Sequence, residues 1–227
     1  GSPSSWNAWQ ITPGIWERSA TTSSGFRCPT VLSVAGGPTA ITVADFNADA
    51  KLDLAVACLN TNTVAILLGN NNGTFSPAAP PTVAVGSQPI DIRAADFTND
   101  GLLDLVVANR NAGTISILPG NGNGTFGAAV NTALVGPLSL ATGEFNNPAN
   151  ANLDLAVATG DDVSVLSGNG NGTFSGTIAR LTVATTANAQ SVVVGDFDND
   201  GLRDVAVCYA GTDNVGAFLN STPAAGA

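Results

Sequence analysis

Nine residues constrain this chain more than any others: Asp196-Phe197-Asp198-Asn199-Asp200-Gly201-Leu202-Arg203-Asp204. Three carboxylates alternate, a glycine permits a sharp turn, and a fourth carboxylate precedes the apolar run Val205-Ala206-Val207-Cys208. Hard cations such as Ca²⁺ take roughly six to eight oxygens, and closely spaced carboxylates around a tight turn supply them. The pattern occurs three more times upstream. Asp45-Phe46-Asn47-Ala48-Asp49-Ala50-Lys51-Leu52-Asp53 and Asp96-Phe97-Thr98-Asn99-Asp100-Gly101-Leu102-Leu103-Asp104 are two copies. The other runs from Glu144-Phe145-Asn146 to Leu153-Asp154 and is two residues longer.

The loop starts Asp45, Asp96, Glu144 and Asp196 are separated by 51, 48 and 52 residues. A period of roughly 50 residues implies a solenoid or a propeller, with about four strands per blade in the latter. Each unit reads alike. A short strand precedes the acidic loop (40–44, 90–95, 138–143, 191–195), and a continuously apolar strand follows it (54–59, 105–108, 155–158, 205–209). Continuous apolarity over so few residues fits a strand covered on both faces, as in stacked blades. A third strand comes next, at 63–68, 114–118, 163–166 and 214–219.

A second signature then recurs. Gly69-Asn70-Asn71-Asn72-Gly73-Thr74-Phe75 returns as Gly120-Asn121-Gly122-Asn123-Gly124-Thr125-Phe126 and as Gly168-Asn169-Gly170-Asn171-Gly172-Thr173-Phe174. Asn and Gly tolerate positive φ, so this is tight-turn chemistry leading into a fourth, outer strand that the Phe anchors. Asn72, Asn123, Asn171 and Asn220 also head glycosylation sequons, although the turn alone explains the first three. The fourth unit ends after its third strand, with no Gly-Thr-Phe, while residues 26–34 resemble an outer strand without a preceding blade. Unpaired edges invite aggregation and closure removes them. Residues 26–34 are therefore expected to complete the last blade beside 214–219, within one chain or between two.

Net charge is −10, but 12 of the 17 acidic residues lie in the four loops. The acidity is thus local and suited to cations, and nucleic acid is not an expected partner. No apolar stretch is long enough to span a membrane. The chain has no histidine, the commonest general base and transition-metal ligand. Cys28, Cys58 and Cys208 lack metal-ligand spacing. Cys58 and Cys208 fall in apolar strand runs, where buried thiols are the simpler reading than a disulfide. Residues 1–25 hold Trp6, Trp9 and Trp16 and match nothing downstream. They are expected to pack on the body of the domain, the alternative being an exposed aromatic binding surface. Residues 26–221 form the repeats and 222–227 a tail.

These two signatures, in register over about residues 26–220, resemble the FG-GAP/VCBS repeat family, the integrin-α-like β-propellers. The resemblance implies an all-β propeller of four visible four-stranded blades, closed by the N-terminal strand. It also implies that each acidic loop joins the first two strands of a blade and binds Ca²⁺. Carried over, Asp196, Asp198, Asp200 and Asp204 supply side-chain oxygens and Leu202 its carbonyl. Asp45, Asn47, Asp49 and Asp53 act likewise with the carbonyl of Lys51, and Asp96, Thr98, Asp100 and Asp104 with that of Leu102. Glu144, Asn146 and Asp154 form a weaker set, because the third loop carries Pro148 and lacks the middle carboxylate. About three calcium sites are expected, a fourth at most, with the fourth loop foremost. The other reading of these loops is that Asp and Asn serve only as turn residues.

The implied function is non-enzymatic: a secreted or cell-surface calcium-binding module for protein or glycan recognition or adhesion, which a second copy can complete as a homodimer. One alternative is a calcium-containing lectin, which needs an aromatic platform with polar groups. Another is the propeller domain of a larger metal-dependent enzyme.

Overall fold

The computed structural model describes residues 32–146, 152–160, 162–182 and 188–221. The chain divides into Gly1–Leu32 and Ser33–Ala227, and the architecture below belongs to the second unit. The expectations for residues 1–25, for the closing strand up to residue 31 and for the 222–227 tail lie outside the described residues.

Among the described residues all regular structure is strand. The first sheet is β1 (Pro38–Ala44), β2 (Asp53–Cys58), β3 (Thr63–Gly69) and β4 (Phe75–Ala84), paired in that order. The second is β5 (Pro89–Ala95), β6 (Asp104–Asn109), β7 (Thr114–Leu118) and β8 (Val130–Ala133). The third is β9 (Ser139–Gly143), β10 (Asp154–Ala158), β11 (Val163–Gly168) and β12 (Phe174–Leu181). The fourth holds β13 (Ala189–Gly195), β14 (Asp204–Tyr209) and β15 (Asn214–Phe218). All pairings are antiparallel, so each sheet is a meander of propeller-blade type. The fourth sheet has three strands among the described residues, which matches the missing Gly-Thr-Phe of that unit.

Strand positions agree with the sequence reading to within about two residues. The consistent difference is that the last Asp of each loop opens the second strand, pairing across to the end of the first: Ala44 with Asp53, Ala95 with Asp104, Gly143 with Asp154 and Gly195 with Asp204.

The sheets pack in series, β1 beside β5, β5 beside β9 and β9 beside β13. Strand alternation decides which residues meet. Ala55 and Ala57 of β2 share a core with Ile92, Leu105 and Val107 of the second sheet. Val106 and Ala108 of β6 do the same with Leu140, Leu155 and Val157. Ala156 and Ala158 of β10 meet Val192, Val205 and Val207. The second strands β6 and β10 are thus covered on both faces, as their composition expects. Small residues on one face and branched ones on the other allow sheets to approach closely.

One expectation is corrected. Cys58 is buried, but Cys208 is exposed, because it lies on the face of β14 that no following sheet covers among the described residues. Both are free thiols.

Candidate metal sites

The first, second and fourth acidic loops are each organised by their first carboxylate. Asp45 Oδ2 accepts the Ala50 amide at 2.7 Å, Asp96 Oδ2 that of Gly101 at 2.9 Å, and Asp196 Oδ2 that of Gly201 at 3.1 Å. The middle carboxylate closes a smaller turn. Asp49, Asp100 and Asp200 each accept, on Oδ1, the amide two residues on, at 2.9, 2.8 and 2.8 Å. Short polar side chains bonding to nearby backbone in this way are the usual chemistry of tight turns. The fifth residue after the first Asp has positive φ in all three loops: Ala50 at 61°, Gly101 at 82° and Gly201 at 88°. Ala50 therefore adopts the glycine conformation without being glycine.

The last carboxylate has a separate role that the spacing did not reveal. Asp53, Asp104, Asp154 and Asp204 are almost wholly buried. Each accepts the amide of the loop Phe on Oδ2: Phe46, Phe97, Phe145 and Phe197, at 2.7–2.9 Å. Each accepts on Oδ1 the amide of Gly69, Gly120, Gly168 or Asn220 after the third strand, at 2.7–2.9 Å. One carboxylate so ties the loop, the second strand and the following turn together. Charge-assisted bonds of this kind offset the cost of burying the ion. Burial still pushes the Asp104 carboxyl above its ordinary value, against the opposing pull of the Gly120 and Phe97 amides.

Among the described residues, one group of three carboxylates converges as a metal site requires. Oxygens of Asp196, Asp198 and Asp204 lie within 4.8 Å of one another. Asp196 Oδ1 is buried and has no hydrogen-bond partner. An unpaired buried carboxylate oxygen on a residue grouped with two further carboxylates fits a hard divalent cation. Asp200 stands outside that group, and the Leu202 amide bonds to it.

The first and second loops do not bring three carboxylates together in this way. In the first, the Lys51 ammonium holds Asp49 Oδ2 at 2.9 Å, and that hydrogen bond keeps the Asp49 carboxyl below its ordinary value. Lys51 was expected to contribute its carbonyl; its side chain brings a resident positive charge as well. In the second loop, the Thr98 amide bonds to both Asp96 Oδ1 and Asp104 Oδ2. In the third, Asn146 donates to Ser167 Oγ at 2.6 Å, while residues 147–151 lie outside the described residues.

The second signature has two parts. Asn72, Asn123 and Asn171 each accept both the amide and the hydroxyl of the Thr two residues on. This is the turn chemistry expected. The opening glycine, however, answers to close packing. A Cβ on Gly120 would lie 2.1 Å from the Leu103 carbonyl oxygen.

The turn also reaches back to the preceding blade. Gly124 donates its amide to the Phe46 carbonyl at 2.8 Å, and Gly172 to that of Phe97 at 2.9 Å. The rings follow, Phe46 meeting Phe126 edge-on at 5.5 Å and Phe97 meeting Phe174 at 6.2 Å. In the fourth unit, which lacks this turn, Asn220 Nδ2 donates to the Phe145 carbonyl at 2.9 Å instead. Beside Phe145, a groove of about 550 Å³ opens between β12 and β15.

Stacked four-stranded meanders with an acidic loop between the first two strands define a β-propeller repeat protein. The chain belongs to the FG-GAP-like repeat family, whose repeat matches residues 45–107, 96–147 and 149–207. A comparison with curated proteins finds no match. Among solved structures, the chain is similar to BBS1N in its complex with ARL6DN, at 16% identity and a TM-score of 0.56, over 85% of this chain and 54% of that one. It is also similar to an Agrocybe aegerita lectin that recognises non-reducing terminal N-acetylglucosamine, at 17% identity and a TM-score of 0.51, over 83% and 50%. A streptogramin B lyase matches at 15% identity and a TM-score of 0.51, over 86% and 58%. Identities this low show the fold alone, and the chain spans about half the length of each neighbour.

Proposed function

We propose that this chain is a calcium-binding propeller module, secreted or displayed on a cell surface, that recognises an extracellular protein or glycan and carries out no catalysis. The observation that carries the metal reading is the convergence of Asp196, Asp198 and Asp204, together with the buried, unpartnered Asp196 Oδ1. Carboxylates so close repel unless a cation joins them, and the folded loop holds them together whereas the unfolded chain does not. Calcium at ten to a hundred times its dissociation constant would then stabilise the fold by roughly 1.4–2.7 kcal/mol. Extracellular calcium modules bind in the range of about 0.1–1 mM, which is the basis for the proposed location. Recognition rests on the family fold, which holds variable loops on rigid sheets.

The test is calorimetric titration with calcium, paired with melting in chelator. Wild type is expected to bind in the millimolar range and Asp198→Asn to lose the tightest site. No heat up to about 10 mM, with melting indifferent to chelator, would leave the acidic loops as turns only.

A sugar-binding function is the second reading, supported by the lectin among the structural neighbours. Tyr209 is buried and offers no platform, so the stacking surface would come from the half-exposed Phe197 or from Trp6, Trp9 or Trp16. A glycan array on the intact chain and on one lacking residues 1–25 separates the two readings.

A further inference from the structure

The joints between successive sheets repeat one design, and each end of the series carries half of it. Call the face toward the next sheet trailing and the face toward the previous sheet leading. On the trailing side stand the loop Phe, its carbonyl, and the second and fourth residues after the last Asp, as with Ala55 and Ala57 in β2. On the leading side stand a large residue of the first strand, the branched residues of the second, and the Gly and Phe of the turn. Ile92, Leu140 and Val192 are the leading first-strand residues, and all are buried. Polar links lock the same edges. Asp91 Oδ2 accepts the Leu140 amide at 2.8 Å, and Ser139 Oγ, at the equivalent position, accepts the Val192 amide at 3.4 Å.

Among the described residues the first sheet has a leading face with no sheet before it, where Val34 packs on Val56 and Cys58 of the second strand. Ile41, equivalent to Ile92, is 56% exposed, and Val43 beside it is 54% exposed. Gly73 is exposed where Gly124 and Gly172 are buried, and a Cβ there would meet nothing within 4 Å. Among the described residues the fourth sheet has a trailing face with no sheet after it. Phe197 is 47% exposed, whereas Phe46, Phe97 and Phe145 are at most 8% exposed. Val193 is 56% exposed, Cys208 and Ser191 are exposed, and Ser191 is equivalent to Asp91 and Ser139. Each half presents what the other needs, and among the described residues of one chain they do not meet.

We propose that a second copy of this chain seats its leading face on the trailing face of the first, and the first returns the contact, joining two sets of four blades head to tail. The occupant is specified by continuity with the internal joints. Phe197 meets the partner's Phe75, the Phe197 carbonyl takes the partner's Gly73 amide, and Ser191 Oγ takes the partner's Ile41 amide. A contact between unlike patches forms a closed set when the rotation returns, and repeated blades supply that rotation. The proposal does not rest on the calcium reading.

The test is analytical sedimentation of the 227-residue chain at about 100 µM, where a micromolar interface is populated. The expected mass is twice the 22.5 kDa of one chain. Ile41→Glu and Val193→Glu alter side chains more than half exposed, so both should keep their strand circular dichroism and run as monomers. Mixing the two variants should restore dimer, because one retains a sound trailing face and the other a sound leading face. A contact between like faces would not be restored. Cys208, sited by mass spectrometry of the alkylated peptide, should react about tenfold more slowly in wild type than in Ile41→Glu. A wild-type monomer with freely alkylated Cys208, a dimer that survives both substitutions, a mixture that stays monomeric, or assemblies larger than two chains would each overturn the proposal.

Discussion

Asp154 Oδ2 accepts the Phe145 amide at 2.9 Å, in the loop whose acidic pattern is most degraded. The same oxygen-to-amide bond appears in all four loops, so the last Asp is kept for the backbone whether or not the rest of the loop suits a cation. Asp154→Ala would leave the Phe145 and Gly168 amides without their acceptor inside the protein. The expected cost is roughly 2–4 kcal/mol of stability, with calcium stoichiometry unchanged. Chemical denaturation with and without calcium checks this. An equal loss of calcium binding would assign Asp154 to a metal site after all.

Ala50 sits at φ 61° where the second and fourth loops place Gly101 and Gly201. A Cβ in the left-handed region costs roughly 1–2 kcal/mol, and glycine returns part of that gain as extra freedom in the unfolded chain. Ala50→Gly is therefore expected to stabilise the protein by about 0.5–1 kcal/mol. The reverse change, Gly201→Ala, should cost about 1 kcal/mol, since a Cβ there meets nothing and only the backbone angle is strained. A melting curve for each variant decides the sign.

What the sequence made legible was whatever repeats locally. The strands, the loop carboxylates and the Asn-Gly turns all depend on residues a few positions apart, so their spacing shows in one copy and is confirmed by the next. What stayed hidden depends on sheets meeting. Asp91 looks like any strand carboxylate until Leu140, 49 residues away, is seen to donate to it. Asn220 replaces a whole turn by reaching the Phe145 carbonyl, 75 residues back. Cys208 has the apolar neighbours of a buried thiol, yet among the described residues no sheet covers its face of β14, which no local pattern records.

Asp91 offers a direct measure of one such joint. Its Oδ1 accepts the Ile92 amide and the Arg93 guanidinium, while Oδ2 carries the bond to Leu140 in the next sheet. Arg93 is substantially exposed, so that ion pair contributes little. The bond to the buried Leu140 amide matters more, and Asp91→Ala should destabilise by about 2–3 kcal/mol. Asp91→Ser copies the arrangement at Ser139 and should recover part of the loss. Equal destabilisation by both variants would show that the contact between sheets is not what Asp91 provides.

The first loop allows a resident cation to be set against calcium. The Lys51 ammonium lies 2.9 Å from Asp49 Oδ2, an oxygen the resemblance assigns to the metal. Both partners are partly exposed, so their bond contributes little to stability, and removing it should barely move the melting temperature. Its effect on an incoming divalent ion is larger, because the ammonium repels two charges and also occupies a ligand atom. Over a few ångström in a well-solvated loop, this amounts to roughly five-fold in affinity. Lys51→Ala should therefore tighten a first-loop calcium site about five-fold while leaving the fourth-loop site untouched. Because the repulsion is screened, the difference should shrink as salt is raised. Titrating Lys51→Ala in the Asp198→Asn background isolates the first loop from the tighter site. Unchanged affinity there would mean that Asp49 is not a calcium ligand and that the first loop is a turn held by its own lysine.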